Sequence, residues 1–493
     1  MENSMKPSYE QGKQGDDSLL AITAIGFSFF WLQFFAELMY GCTLGTTFGQ
    51  GGPIPVTPAA VCLGFAIANM VVSLKCDFFS GERGQVILML LTIAGPVVSA
   101  LLLLLSIYLG MAFPLWLVLL AWLVTGLGLG SSLALWAEML SGYTKEFASK
   151  ATAIGAGTGG LLFFVLANLD HTLAIASIFV AGLLSVFFLR MLGKNAPATE
   201  YVSRKECLQR HKLTFPIDVL NSIYGVIFGI GIFGLTNLPE EPWMYFAVAL
   251  AIIACAFIMT PIFKRNTDKM MHGKIQRAIF PFIVVSLILA PFVHGILEFA
   301  LLLLLVGCFT ILTLVNLDSL FCLEKHFDVS SFYLTGRGYS PILIGLALGY
   351  AVASIIVSSG ATIDEFMMVA GIVMIIILSF AISFIDFDID YLEVERVKAN
   401  APEQTAADGS SGEAYVHFEQ RCDSIAESHG LSSREKEVFC LLARGRGTTF
   451  IQNKLFISQH TVKSHAYHIY KKLGINSREE LLSMVEDYDD DRR

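Results

Sequence analysis

Apolar residues dominate the first four-fifths of the chain in long unbroken runs, not at the spacing of a helix or strand with one wet face. Runs of eighteen or more such residues can cross a hydrocarbon layer of about 30 Å as helices rising about 1.5 Å per residue. Twelve are predicted, at 18–41, 54–74, 86–108, 114–142, 149–168, 171–193, 214–236, 241–263, 278–296, 297–322, 339–359 and 363–386. Within 278–322, Pro281, Pro291, His294 and Gly295 mark either a hairpin between two spans or one irregular helix.

Composition agrees with this pattern: 55% of residues are hydrophobic, 15% are charged and the mean hydropathy is +0.64, which excludes an ordinary soluble domain. Charge then orients the spans. Every Lys and Arg before residue 386 lies in the N-terminal segment, in an even-numbered loop or, for Lys150 and Arg190, at the span end beside one, and the rest follow the last span. Cytoplasmic loops retain such residues, so both termini are expected in the cytoplasm, with the chain multi-pass in an inner membrane. The first span is too long for a cleaved leader and lacks an A-x-A site, so it is expected to remain. The nine cysteines show no CxxC spacing, and neither a disulfide framework nor a metal site is expected.

Six spans, a basic loop of about twenty residues and six more spans suggest a duplicated protein. The halves echo each other. The fourth span of each ends on an acid, Glu138 in WAEML and Asp318 in VNLDSL, and the fifth carries small residues, IGAGTGG at 154–160 and LIGLALG at 343–349. This layout resembles the major facilitator superfamily. That family's second-loop motif is altered here: KCDFFSGERGQ holds Asp77, Arg83 and Gly84 in a different order.

The organisation expected along the chain is a cytoplasmic segment over 1–17, a membrane sensor over 18–386, a helical extension and acidic linker over 387–430, a small helical domain over 431–485 and an acidic tail over 486–493. The small domain has its own periodicity. LSSREKEVFCLLARG reads as a capped amphipathic helix, with Ser432 or Ser433 as the cap and Gly445 as the stop. A short second helix, a turn at Ile457, a third helix capped by Ser458 and a fourth after Asn476-Ser477 complete a helix-turn-helix. Phe418, Cys422 and Ile425, at i, i+4 and i+7, mark a further helix ahead of them.

On the third helix, Val462, Ala466, Ile469 and Leu473 form the inward face. His460, Lys463, Ser464, Tyr467 and Lys471 fall opposite, a stripe of donors with one aromatic suited to a major groove rather than a merely solvated face. Leu431, Arg434, Glu435, Val438, Leu442, Gly445, Ile451, Leu455, Ser458, Thr461, Val462, His465, Ile469, Lys472, Leu473 and Arg478 match the pattern of LuxR/NarL-type DNA-binding domains, which these 55 or so residues resemble. Gln452 departs from it, standing where Ala is usual. The resemblance implies binding to promoter DNA as a homodimer, with Lys463, Ser464 and Tyr467 at base- or phosphate-reaching positions. The whole chain resembles LuxR-type regulators with a transporter-like membrane region.

Ionisable residues within spans are functional candidates. Trp31, Gln33, Glu37, Tyr40, Trp122, His294 and Glu298 are the candidate ligand-binding residues, with headgroup-level anchoring as the plainer reading. No Lys or Arg lies deep in a span, so a neutral, phenolic or cationic small molecule is expected, with membrane lipid around the bundle. Arg83, Glu138 and Asp318 are the candidate latch, the acids pairing with Arg83 or the bases of the eighth loop, unless they form a static bridge. The fold class expected is all-α, twelve spans plus a four-helix domain. The leading function is a membrane-bound one-component regulator, and the alternative is a transporter with a DNA-binding regulatory tail. No catalytic motif or cofactor site is found, so an enzyme is not expected.

Overall fold

The computed structural model describes residues 17–45, 57–109, 113–193, 215–238, 242–265, 272–327, 329–384, 421–443, 451, 455, 459–475, 480–481 and 484–485. The chain divides into two compact units, Met1–Phe387 and Asp388–Arg493.

Among its described residues, the first unit holds twelve helices long and apolar enough to span a membrane. In the first half these are α1 (Asp17–Gly45), α2 (Thr57–Leu74), then past the short α3 (Cys76–Phe79), α4 (Glu82–Leu109), α5 (Leu115–Ser141), α6 (Lys145–Ala167) and α7 (His171–Gly193). In the second half they are α8 (Phe215–Thr236), α9 (Pro242–Arg265), α10 (His272–Leu289), α11 (Ile296–Phe327), α12 (Ser331–Ser358) and α13 (Ile363–Phe384). The stretch that the prolines left ambiguous is a hairpin. A 3-10 turn over Ala290–Phe292 ends α10, and Gly295 turns the chain at a φ of +70° into α11.

Four helices begin at least four residues before their apolar runs, α4 and α10 as well as α6 and α12. α6 starts at Lys145 and α12 at Ser331, four and eight residues ahead of the hydropathy pattern. Their polar first turns are buried by packing, so hydropathy alone underestimates them: Ser340 donates to the carbonyls of Gly336 and Ala66, and Ser73 donates to that of Tyr333. Small residues permit this approach. A Cβ on Gly336 would lie 2.2 Å from the Asn69 carbonyl oxygen of α2, and one on Gly345 would lie 2.1 Å from that of Ser222 on α8. The halves meet chiefly where α2 packs on α12 and α6 packs on α9.

The second unit is built on α14 (421–428), α15 (Ser433–Ala443) and α16 (Gln459–Leu473), with further helical residues at 451, 455, 480–481 and 484–485. Its core joins Cys422, Ile425, Val438, Phe439, Leu442, Ile451, Val462, Ile469, Leu481 and Val485. Phe418, Gln452, Ile457 and Ser458 lie outside the described residues.

Candidate functional site

The helix that carries the polar stripe is held by a capping network. Ser432 is the cap of α15: its hydroxyl accepts from the Glu435 amide at 3.4 Å, and the Glu435 carboxylate accepts from the Ser432 amide at 2.8 Å. The same carboxylate accepts from Lys472 Nζ of α16 at 2.7 Å, and Lys472 also donates to the Gly430 carbonyl at 3.0 Å. The Lys472 bond, followed by the Ser432 amide, lowers the Glu435 carboxyl to about 2. Arg434 donates to the Leu455 carbonyl at 2.7 Å, which ties the second helical segment to α15. Arg434 and Lys472 therefore position helices, a role their charge alone does not reveal.

α16 is two-faced. Val462 and Ile469 are fully buried and Leu473 nearly so, with Ala466 partly buried against them. Ser464, Tyr467 and Lys471 are exposed, Tyr467 to 65% despite its size, and the exposed His468 ring lies 5.6 Å from it. His460 and Lys463 are on α16, with side chains outside the described residues. Gly474, at a φ of +71°, ends the helix, and the Ile475 amide closes back on the Tyr470 carbonyl. α14 precedes this domain yet belongs to its core: Cys422, Ile425 and Ala426 are buried, Arg421 donates to the Val485 carbonyl, and Asp423 pairs with Lys436 at 3.0 Å.

In the membrane unit the sequence candidates separate into two places. Trp31, Gln33, Glu37 and Trp122 are all buried, and Gln33 donates to the Ile178 carbonyl of α7. Trp31 packs with Phe27, Phe30, Phe34 and Phe35, and its indole N–H has no hydrogen-bond partner. Tyr40 lies on α1 with its side chain outside the described residues. His294 and Glu298 instead form an i,i+4 pair of 3.8 Å at the start of α11, with His294 largely exposed. Phe34 stacks on Phe309, and α1 and α11 run in opposite directions. Counting along each helix from that stack puts Glu298 about 12 Å beyond Glu37 toward the end of the bundle opposite the basic loops. These residues are not brought into one site.

The acids of the expected latch have partners across the halves. Asp318 of α11 faces Lys145 Nζ at 3.5 Å and accepts from Ser149 at 2.7 Å, both on α6 of the other half. Glu138 of α5 accepts from Ser331 at the start of α12, again across the halves. Arg83, at the start of α4, is exposed. The acid closing the fourth span of each half thus reaches the first turns of the fifth span in the other, a reciprocal pair of crossings. Hydropathy hid these partners because it placed the starts of α6 and α12 too late. Among the described residues, no group of three or more His, Cys, Asp or Glu side chains could hold a metal ion.

Comparison with known proteins agrees with both units. Residues 429–485 match the family described as bacterial regulatory proteins, luxR family. The oxygen regulatory protein NreC of Staphylococcus aureus strains JH9 and JH1 is 48% identical over 52 residues, which is 10% of this chain and 24% of that protein. The chain thus spans about a quarter of the length of these relatives. Among solved structures, the major facilitator proton:xylose symporter XylE superposes with a TM-score of 0.51 at 13% identity, covering 77% of this chain and 98% of that one. The major facilitator transporter FucP gives 0.49 at 10% identity, over 76% and 99%. Residues 429–485, with Val462 and Ile469 of α16 in their core, are a luxR-family regulatory domain joined in one chain to a membrane unit of the major facilitator fold.

Proposed function

We propose that this protein is a membrane-bound one-component transcriptional regulator: the membrane unit binds a small molecule, and the luxR-family domain binds promoter DNA as a dimer in response. The observation that carries the reading is the pairing in one chain of an exposed donor stripe, Ser464, Tyr467 and Lys471, with a bundle whose halves are joined by the two reciprocal crossings. Lys463 and His460 share that helix, at positions that the sequence periodicity assigns to the DNA side. Ligand binding shifts the bundle between two arrangements, and the crossings Lys145 with Asp318 and Ser331 with Glu138 are the contacts that differ between them. Both termini lie on the cytoplasmic side of an inner membrane, a reading supported by the gathering of Lys and Arg in the N-terminal segment, the even-numbered loops and the C-terminal part.

The major facilitator fold keeps a second reading in view, a transporter whose DNA-binding tail regulates its own synthesis. One variant separates the two. Lys463→Ala removes a charge from the stripe and leaves the buried Val462 and Ile469 untouched, at a cost of roughly 1–3 kcal/mol per DNA contact and twice that for a dimer. The expected result is loss of the transcriptional response with ligand binding retained and no ligand accumulation in cells. Carrier-like uptake that persists in Lys463→Ala would establish the transporter instead.

A further inference from the structure

Hydroxyl groups inside the membrane unit commonly follow one rule. Thr92, Thr125, Thr152, Thr310 and Thr313 each donate to the carbonyl one turn earlier, which satisfies them where water is excluded. Thr23 and Ser319 do not use that solution. Their hydroxyl oxygens are buried without a hydrogen-bond partner, as are both amide atoms of Asn69 and the amide nitrogen of Asn316. All four side chains are more than nine-tenths buried, from 0% exposed at Thr23 and Asn69 to 5% at Asn316.

Aromatic pairs fix where these groups lie. Spacings of four, seven and eleven residues return a helix to within about 40° of one direction, so Thr23, Phe27 and Phe34 share a face of α1, Phe65 and Asn69 a face of α2, and Phe309 and Asn316 a face of α11. The aromatic ends of these stripes touch: Phe34 lies 6.0 Å from Phe65 and 6.1 Å from Phe309, ring centre to ring centre. α2 and α11 run opposite to α1. Following each stripe toward the basic-loop end puts Asn69 about 6 Å and Asn316 about 10 Å past the aromatic tier, with Ser319 and Thr23 about 15–17 Å past it. The next ionisable group on α11, Asp318, is already matched by Lys145 and Ser149.

We propose that Thr23, Asn69, Asn316 and Ser319 form the binding site for an uncharged aromatic molecule, whose hydroxyl or amide groups meet these four side chains while its ring rests against the tier of Phe34, Phe65 and Phe309. Amides and hydroxyls both donate and accept, so a ligand offering both matches the set, and no unpaired charge in the set favours an ion. The inference rests on the regulator reading only for the purpose of the bound molecule.

The test uses the full chain in lipid nanodiscs and three probes of matched size: neutral 4-hydroxybenzamide, anionic 4-hydroxybenzoate and cationic tyramine. The neutral probe is expected to raise the thermal midpoint with dose and to bind at least about tenfold more tightly than either ion, and Asn316→Leu is expected to weaken it by about tenfold or more. The unliganded variant should be as stable as the parent or more so, since an unmet polar group is gone. Thr23→Val provides the same comparison should Asn316→Leu fail to fold. Absence of stabilisation by the neutral probe at millimolar concentration, equal binding of either ion, or undiminished binding in the folded variants overturns the proposal. Variants that gain stability in a protein that binds no probe would mean that these groups hold water only. DNA is absent from the measurement, so a failure here leaves the regulator reading standing, and a failed DNA response leaves this site standing.

Discussion

Replacing Asp318 by Asn tests whether the crossing between the halves is a mechanical link. Lys145 and Asp318 are 4% and 2% exposed and 3.5 Å apart. At an effective dielectric near 20 their attraction is about 4–5 kcal/mol, set against the desolvation of both ions. Removing the carboxylate charge alone keeps the desolvation of the ammonium, so Asp318→Asn is expected to cost about 3–5 kcal/mol. Lys145→Met removes the other partner, and the double variant removes both charges of the pair. A double-mutant cycle on thermal or denaturant stability in nanodiscs should therefore give a coupling of about 2 kcal/mol or more, with the double variant more stable than Asp318→Asn. Reporter transcription should follow the same order, displaced in Asp318→Asn and returned toward the parent level in the double variant. Additive losses, with coupling below about 0.5 kcal/mol, would show that the pair bears no load and refute its place in the switch.

Ile425→Ala empties a fully buried position on α14 and is expected to destabilise the DNA-binding unit by about 2–5 kcal/mol in denaturant unfolding, although Ile425 lies outside the luxR-family match. Ser432→Ala removes the cap of α15 and should cost about 1 kcal/mol in the same assay. Glu435 titrates at about 2 when folded and at about 4.3 when unfolded. Its lowered folded value means that its contribution is complete above the unfolded value and lost as pH falls from there toward the folded one, so Glu435→Gln should flatten the acid limb of the stability profile between those values. A reporter active only outside the cytoplasm, fused after Arg493, should stay silent, and strong activity would reverse the orientation read from the basic loops.

The twelve spans and the two-faced third helix of the small domain were legible in the sequence because each rests on a local periodicity: an apolar run the thickness of a bilayer, or Val462, Ile469 and Leu473 at helical spacing. The match to the luxR pattern was legible for the same reason, since capping and core positions recur at fixed offsets in about 55 residues. What lay beyond reach depended on which helices face each other. Asp318 could be recognised as an intramembrane acid, but Lys145 and Ser149 became its partners only through the packing of α6 on α11, and polar residues there made the start of α6 look like a loop. Glu37 and Glu298 looked like one group in sequence, and the stacking of Phe34 on Phe309 separates them by depth. Thr23, Asn69, Asn316 and Ser319 carry no sequence signal at all. A hydroxyl or amide in a span is ordinary when it bonds to its own helix, and only the tertiary structure decides that these four do not.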